Sequence, residues 1–306
     1  MDHNRIIEVQ NLKQYYQIND RLTVKAIDNI SFEIKQGEVF GLVGETGCGK
    51  STAARILSGI CQPTDGTVLY DGAPIYSPHI SQTQRKRRQQ EIQMIFQDSA
   101  ASLNPRMTVK QIILEPLHIQ KKKFSPHAAA CISASSNTTP EPELLAAILD
   151  RVGMTPDFLP KYPGELSGGQ RQRIAIARSL VLSPRLIIAD EPISSLDVSI
   201  QAQILTLFQK LQKENGFSFL FISHDLSVVR FISDRIGIML QGKLVEIAPK
   251  ELLFQNPLHP YTKALLSAIH VPDPVYERNK KILYYDHSQP AGSRMTEAEP
   301  EHFVLK

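Results

Sequence analysis

Apolar and polar positions repeat with two different periods along the chain, and these periods predict strands and helices in turn. The pattern over 5–10 alternates as in a strand, and the pattern over 23–34 predicts two further short strands. A compact apolar run at 37–43 leads into glycines and predicts a buried strand. A helical period follows over 51–60, and a turn and strand pair are predicted at 63–70.

Strands and helices continue to alternate as far as residue 240, which predicts an α/β domain with a largely parallel sheet. The further predicted elements are a strand at 91–96, helices at 109–118, 143–152 and 169–182, a strand at 185–189, a helix at 200–213, and strands at 218–222 and 236–240. Residues 121–142 have no period and are rich in Ser, Thr, Ala, Lys and Pro, so they predict a mobile surface insertion. Beyond residue 249 the chain is rich in Pro and His and then polar, which indicates an appendage outside the core.

The composition is that of a soluble globular protein, with 42% hydrophobic and 21% charged residues. A net charge of +3 does not indicate a nucleic-acid partner, and the basic clusters at 85–88 and 121–123 are interpreted as solvated rather than as sites for anionic lipid or RNA. The three cysteines have no paired spacing, which argues against a zinc site or disulfide framework. No signal peptide is visible, and no run approaches the about 20 apolar residues that span a bilayer. If the protein works at a membrane, other chains are expected to hold it there.

One segment fits the phosphate-loop pattern G-x-x-x-x-G-K-[ST]: Gly44-Glu45-Thr46-Gly47-Cys48-Gly49-Lys50-Ser51. Glycines let several backbone N–H groups point at one anion, and the helix that starts after the loop adds its positive end. Lys50 can then reach the β- and γ-phosphates, and the Ser51 hydroxyl can ligate Mg²⁺. The segment therefore predicts a nucleotide-phosphate site.

A pair of acidic residues, Asp190 and Glu191, follows the apolar strand at 185–189. An isolated strand that ends in Asp-Glu is more often a solvated strand end, but open α/β sheets bind ligands at this edge. Together with the phosphate loop, the pair predicts that Asp190 holds Mg²⁺ and that Glu191 orients or deprotonates an attacking water.

Between these motifs lies Leu166-Ser167-Gly168-Gly169-Gln170-Arg171-Gln172-Arg173, which resembles the signature motif of ABC-transporter ATPases. Alone, Ser167 and two glycines could be an ordinary capped surface helix, but such a helix start is also an anion-binding terminus. In the family, the phosphate loop and the signature helix around each ATP come from different subunits packed head to tail. The resemblance covers about residues 5–270. It implies a phosphate-loop NTPase core with an N-terminal antiparallel β subdomain, a helical signature subdomain and a small C-terminal appendage.

The resemblance also assigns individual residues. Gln97 resembles the glutamine that contacts Mg²⁺ and water and faces the membrane subunit, and Ser194–Asp197 resembles the loop that crosses between the two ATPase subunits. His224 resembles the switch histidine that touches the γ-phosphate, and Tyr16 resembles the aromatic that stacks on adenine, with Tyr15 as the alternative. The predicted catalytic residues are Lys50, Gln97, Glu191 and His224, the predicted Mg²⁺ ligands are Ser51, Gln97 and Asp190, and the predicted nucleotide-binding residues are Tyr16, Gly44, Glu45, Thr46, Gly47, Cys48, Gly49, Lys50, Ser51, Thr52, Gln97, Ser167, Gly168, Gly169, Gln170 and Asp197.

Three segments outside these motifs resemble the oligopeptide/dipeptide/nickel importer group: Val24–Asp28, Val198–Ile204 and Asn256–Leu266. This implies an ATPase domain at 5–248, with a helical subdomain at about 98–175, and an importer-type appendage and tail at 249–306. Some members carry an iron–sulfur cluster there, which this chain excludes because no cysteine follows Cys131.

The predicted function is MgATP hydrolysis coupled to import of oligopeptides or dipeptides. The resemblance implies a second, different ATPase chain, two membrane permease subunits and, indirectly, an extracytoplasmic substrate-binding protein, with this chain peripheral at the cytoplasmic face of the membrane. The alternatives are nickel or metal-chelate import, an exporter, a soluble ABC ATPase without a transport role, and a catalytically silent partner. Intact Glu191 and His224 argue against the last.

Overall fold

A computed structural model describes residues 4–19, 22–120, 141–269, 278, 280–286, 292 and 294–306. The elements in chain order are β1 (Arg5–Asn19), β2 (Leu22–Lys35), β3 (Val39–Val43), α1 (Lys50–Leu57), β4 (Asp65–Tyr70), β5 (Ala73–Pro74), α2 (Gln82–Glu91), β6 (Ile92–Ile95), α3 (Ser99–Ser102), α4 (Val109–Ile119), α5 (Glu141–Arg151), 3₁₀ turns at Pro156–Phe158 and Pro163–Glu165, α6 (Gly168–Leu180), β7 (Leu186–Asp190), α7 (Val198–Asn215), β8 (Ser218–Ser223), α8 (Leu226–Ile232), β9 (Arg235–Leu240), β10 (Lys243–Pro249), α9 (Lys250–Gln255), α10 (Pro260–Ala268), β11 (Met295–Glu299) and β12 (His302–Leu305).

The chain divides into two compact units, Met1–Tyr76 with Leu220–Lys306, and Ser77–Phe219. The first unit contains an antiparallel sheet of order β2-β1-β4-β5. It also contains β3, which pairs in parallel with β9, and β10, which pairs antiparallel with β9 and β12. Every residue of β3 and β9 is buried, as the apolar runs in the sequence predict. The rings of Phe32 on β2 and Phe40 on β3 stack with centroids 5.3 Å apart.

The prediction of two short strands within 23–34 is wrong, since one continuous strand, β2, runs through this segment. The reason is a bulge at Asn29, which has a φ of +62°. Leu12 pairs with Ile30 and Lys13 with Asp28, so one extra residue lies on β2 at this point. A bulge changes the phase of the in–out alternation without ending the strand, which a pattern of apolar positions cannot distinguish from a break.

The second unit is largely helical. Strands β6 and β7 pair in parallel, from Ile92 opposite Leu186 to Ile95 opposite Ala189. Helices α4, α5 and α6 confirm the predicted helical segments, and α4 and α6 pack on each other. Helix α2 was not predicted, because none of its residues is buried and its sequence therefore has no apolar period. It carries the basic cluster at 85–88, whose side chains are mostly exposed.

The predicted mobile insertion at 121–142 lies outside the described residues, apart from its last two, which begin α5. The predicted domain boundary at 248 remains a prediction. At the far end of the predicted appendage, β12 pairs with β10, and β11 pairs with β12. In the part of the chain that the structure describes, no helix is both long enough and apolar enough to cross a bilayer.

Candidate nucleotide-binding site

The predicted phosphate loop connects β3 to α1 and depends on glycine for its shape. Gly49 has a φ of +108°, and a Cβ there would lie 2.1 Å from the carbonyl oxygen of Ala26. A Cβ on Gly44 would lie 2.1 Å from the carbonyl oxygen of Met239. Side chains at these two positions would collide with backbone, so the loop needs glycine there. Gly47, with a φ of +83°, has open space around its Cβ position, which leaves room for a ligand.

The start of α1 has the properties of an anion site. Its N-cap residue is Gly49, which offers no side chain to cap the helix, and its first turn contains no acidic residue. The first N–H groups of an α-helix have no acceptor within the helix, and the helix dipole is positive at this end. A phosphate group would supply both the acceptors and the negative charge. The loop therefore fits the triphosphate that the sequence predicts.

Lys50 places a buried positive charge over the loop. Its side chain is 4% exposed, and its Nζ donates hydrogen bonds to the carbonyl oxygens of Gly44 (2.7 Å) and Glu45 (2.9 Å). The Cys48 thiol is 3.9 Å from the same nitrogen, and burial raises the pKa of this thiol, so it remains neutral. The ammonium group is thus oriented by the loop itself, at the position where phosphate oxygens would be neutralised.

The carboxylates at the end of β7 are both buried, with Asp190 4% and Glu191 8% exposed. Glu191 has a φ of +46°, a left-handed conformation that costs a non-glycine residue about 1–3 kcal/mol and that clusters at functional sites. The Gln97 Nε2 donates to the Glu191 Oε2 at 3.4 Å. Two predicted catalytic residues that are far apart in sequence therefore meet in the second unit.

The predicted signature residues form the start of α6. The Ser167 Oγ accepts the N–H of Gln170, and the Gln170 side chain accepts the N–H of Ser167 at 2.9 Å, which is a capping box. A Cβ on Gly169 would lie 2.7 Å from the Ile200 Cγ2, and one on Gly168 would lie 3.3 Å from the Leu196 Cδ2. The two glycines thus allow α6 to approach the predicted crossing loop and α7 closely.

This close approach predicts a stability difference between two glycine substitutions. We expect Gly169→Ala to lower the free energy of unfolding by about 1–3 kcal/mol, because the new methyl group overpacks against Ile200. The control is Gly164→Ala, since no atom lies within 4 Å of that Cβ position. Chemical denaturation of both variants measures the difference, and equal unfolding midpoints would contradict this packing.

The two candidate adenine-stacking residues differ in their surroundings. The Tyr15 hydroxyl donates to the Asp28 Oδ1 at 2.5 Å, and this hydrogen bond is the main cause of its raised pKa. Tyr16 is 43% exposed and pairs across the hairpin with Val24. These surroundings favour Tyr16.

His224 directly follows β8 and is exposed. The next residue, Asp225, caps α8 by accepting the N–H of Ser227 at 2.8 Å, which fixes the end of the strand and the start of the helix around His224. The first unit thus contains the phosphate loop, Tyr16 and His224. The second contains Gln97, the carboxylates of β7, the start of α6 and Asp197, which is exposed at the N-cap of α7.

The predicted Mg²⁺ ligands Ser51, Gln97 and Asp190 include only one carboxylate. Among the described residues, no group of three or more His, Cys, Asp or Glu side chains could hold a metal ion. A hydroxyl, an amide and one carboxylate suit Mg²⁺ that also takes oxygens from a bound phosphate and from water. The donor set is therefore chemically suited to Mg²⁺ that arrives with a nucleotide.

Tyr261 lies in the importer-type segment Asn256–Leu266, and no site role was predicted for it. Its side chain is 1% exposed, and burial is the main cause of its raised pKa, with a smaller contribution from the charge of Glu45.

Two family models match the chain. The model described as "ABC transporter" matches residues 27–194, and the model described as "Oligopeptide/dipeptide transporter, C-terminal region" matches residues 245–292. The chain belongs to the ATP-binding proteins of the ABC transporter family. This confirms the family and the importer group that the sequence motifs predicted.

Several relatives are similar over most of their length. The oligopeptide transport ATP-binding protein OppF of Bacillus subtilis is 49% identical over 306 residues, which cover 98% of this chain and 96% of the relative. The putative oligopeptide transport ATP-binding protein YkfD of the same organism is 50% identical over 279 residues, which cover 91% of this chain and 80% of the relative. OppF of Escherichia coli is 45% identical over 285 residues, which cover 90% of this chain and 81% of the relative.

Solved structures of ABC cassettes share the fold. The dimeric ATP-binding cassette MJ0796, in a post-hydrolysis state bound to ADP and Pi, aligns with a TM-score of 0.66 at 28% identity, covering 80% of this chain and 98% of that one. CbiO1 from Clostridium perfringens, part of the transporter complex cbiONQ, aligns with a TM-score of 0.67 at 28% identity. The alignment covers 83% of this chain and 92% of CbiO1. The predicted ABC ATPase fold class is confirmed.

Proposed function

We propose that this chain binds MgATP and, paired with a second ATPase subunit, hydrolyses it to drive uptake of oligopeptides through separate membrane subunits. The observation that carries the hydrolytic part is the buried, conformationally strained Glu191 bonded to Gln97. The substrate class is supported by similarity along nearly the whole chain to oligopeptide transport ATP-binding proteins.

The proposed role of each residue follows from the chemistry of its side chain. The loop N–H groups and Lys50 bind the phosphates, and Ser51, Asp190 and Gln97 would hold Mg²⁺, which supplies charge neutralisation on the phosphate oxygens. Glu191 accepts a proton from, or orients, the attacking water. His224 would add a hydrogen bond to the transferring phosphoryl group. Tyr16 offers an exposed ring to adenine.

A second ATPase subunit would complete each site through the signature helix. Ser167 and Asp197 are exposed, and Val198, the residue after Asp197 at the start of α7, is 81% exposed. These residues form a surface that suits a protein partner. The related MJ0796 cassette was solved as a dimer, and we propose a head-to-tail pair here, with the partner a different ATPase chain.

The remaining partners are two permease subunits, which we propose hold this chain at the cytoplasmic face of the membrane, and a substrate-binding protein that acts indirectly. Gln97, exposed at the end of β6, and the residues after it are the proposed contact with the permeases. No nucleic-acid partner is proposed.

An uptake assay tests the proposal in cells that lack only this chain. We expect the wild-type chain to restore accumulation of a labelled oligopeptide at least tenfold over the empty vector, whereas Glu191→Gln should not, because that variant cannot complete the ATP cycle. Uptake of ⁶³Ni²⁺ measured in the same cells is the control. Restored nickel uptake without peptide uptake would support the metal-import alternative, and no effect on either would favour an ABC ATPase without a transport role.

A further inference from the structure

The loop that connects β7 to α7 is held by a side chain from the start of α7. The Gln201 Nε2 donates hydrogen bonds to the carbonyl oxygens of Ile193 (3.1 Å) and Leu196 (2.9 Å). Backbone carbonyls outside helices and strands need other donors, and a side-chain amide with two N–H groups can satisfy two of them. Gln201 therefore fastens both ends of the turn at 193–196 to the helix.

The same loop begins at the predicted catalytic carboxylate. The carbonyl oxygen of Glu191 accepts the N–H of Ser194 at 3.3 Å and the Ser194 hydroxyl at 3.1 Å, and the carbonyl oxygen of Ile193 accepts the N–H of Leu196 at 3.1 Å. Two successive turns thus connect Glu191 to the carbonyls that Gln201 binds. Since Glu191 has a left-handed φ of +46°, its conformation persists only where the surrounding contacts fix it. These two turns supply such contacts.

The loop ends at Asp197, the N-cap residue of α7. The carbonyl oxygen of Asp197 accepts the N–H groups of Ile200 and Gln201, both at 2.9 Å, but its side chain makes no capping hydrogen bond. An aspartate at this position commonly binds N–H groups of the first helical turn with its carboxylate. Here the side chain is exposed and can face the second ATPase subunit proposed above. Gln201, and not the cap side chain, therefore holds this end of the loop.

We infer that Gln201 is a positioning residue for ATP hydrolysis, because it holds the loop that has Glu191 at one end and Asp197 at the other. The inference rests on the proposed function, in which Glu191 acts on the attacking water and a second subunit completes each site. A displacement of a catalytic group by about 1 Å can cost about 100-fold in rate, so a loop that is fixed before ATP binds favours turnover. Gln201 acts through the loop and not on the reacting atoms.

The test compares Gln201→Met with Gln89→Met, the same change at an exposed position on α2, in the complex purified through this chain. Methionine is similar to glutamine in length but offers no N–H group to the two carbonyls. We expect Gln201→Met to lower kcat about 5- to 50-fold, counted per bound ATP, with the Kd and the KM for MgATP within about twofold of wild type. Gln89→Met should change none of these quantities.

A purely structural role for Gln201 gives a different result. It would lower the melting temperature and the number of ATP molecules bound per chain, while kcat per bound ATP stayed within twofold of wild type, and that outcome would overturn the inference. Gln201→Glu supplies a second variant of the same shape, in which a carboxylate faces the two carbonyl oxygens. Its kcat should be at least as low as that of Gln201→Met, and a wild-type kcat would contradict the inference.

Hydrogen exchange reports on the loop directly. In Gln201→Met, the amides of Ser194 and Leu196 should exchange at least about tenfold faster than in wild type, because the turns that protect them open more often, while exchange at 44–51 stays the same. Unchanged exchange at both amides would overturn the inference and leave the proposed function intact. A wild-type complex that hydrolyses no ATP would overturn the proposed function and the inference with it, whatever the exchange rates.

Discussion

Glu191→Gln is expected to retain MgATP binding, with a Kd within about twofold of wild type, and to lose at least about 100-fold in the rate of ATP hydrolysis. Glutamine keeps the size of the side chain and can still hydrogen-bond to Gln97, but it cannot accept a proton from water. General-base catalysis typically contributes about 100- to 10,000-fold, which sets the magnitude. The strained backbone at this residue is expected to persist, since the substitution leaves the main chain unchanged.

Phosphate release and equilibrium ATP binding, measured on the same preparations, check this expectation. The control is Glu143→Gln on α5, which makes the same chemical change at an exposed position. It should leave both quantities as in the wild type. Turnover of Glu191→Gln at the wild-type rate would show that this residue does not act in the catalytic step. Loss of ATP binding would indicate that its role is to bind ATP.

Lys50→Met is expected to weaken MgATP binding by about 10- to 100-fold and to reduce turnover with it. Hydrogen bonds to a charged group are worth about 1.5–3 kcal/mol, and each 1.4 kcal/mol corresponds to about tenfold in affinity. Methionine fills most of the buried volume of Lys50. The measured loss of affinity therefore does not include the effect of a new cavity. The lost partners are the Gly44 and Glu45 carbonyls in the free protein and the phosphates in the complex.

Titration of Lys50→Met and of a control variant with a fluorescent ATP analogue, together with their melting temperatures, distinguishes an effect on binding from an effect on folding. Lys210→Met provides the matched control, because the Lys210 side chain is 60% exposed and its Nζ forms a long, exposed ion pair with the Glu214 Oε1 at 3.9 Å. Wild-type affinity in Lys50→Met, with an unchanged melting temperature, would mean that the nucleotide binds elsewhere.

The parts of the site that were predictable from sequence are those whose chemistry is local. The phosphate loop could be predicted because the geometry of one turn requires glycine, lysine and serine at fixed spacing. The start of α6 is readable because Ser167 and Gln170 form a capping box within four residues. The carboxylates of β7 are readable because an apolar run leads directly into them.

Other features depend on contacts between distant residues, which no local pattern encodes. Gln97 and Glu191 are 94 residues apart, and their hydrogen bond could be expected only from the family resemblance. Glu246 and His302 are 56 residues apart, and the polar sequence around His302 indicated a tail and not a strand of the sheet. Helix α2 has no buried side, so the period that reveals other helices is absent from it.

ATP hydrolysis by the complex purified through this chain is the most direct measure of the proposed function. The chain, carrying an affinity tag, is isolated from membranes in mild detergent together with its bound subunits, and phosphate release is measured with Mg²⁺ and ATP. We predict that hydrophobic membrane chains co-purify, that the complex releases phosphate only when Mg²⁺ is present, and that Glu191→Gln abolishes this activity in an otherwise intact complex. A complex that hydrolyses ATP equally well with Glu191→Gln, or a chain that binds no ATP and retains no membrane subunits, would contradict the proposed function.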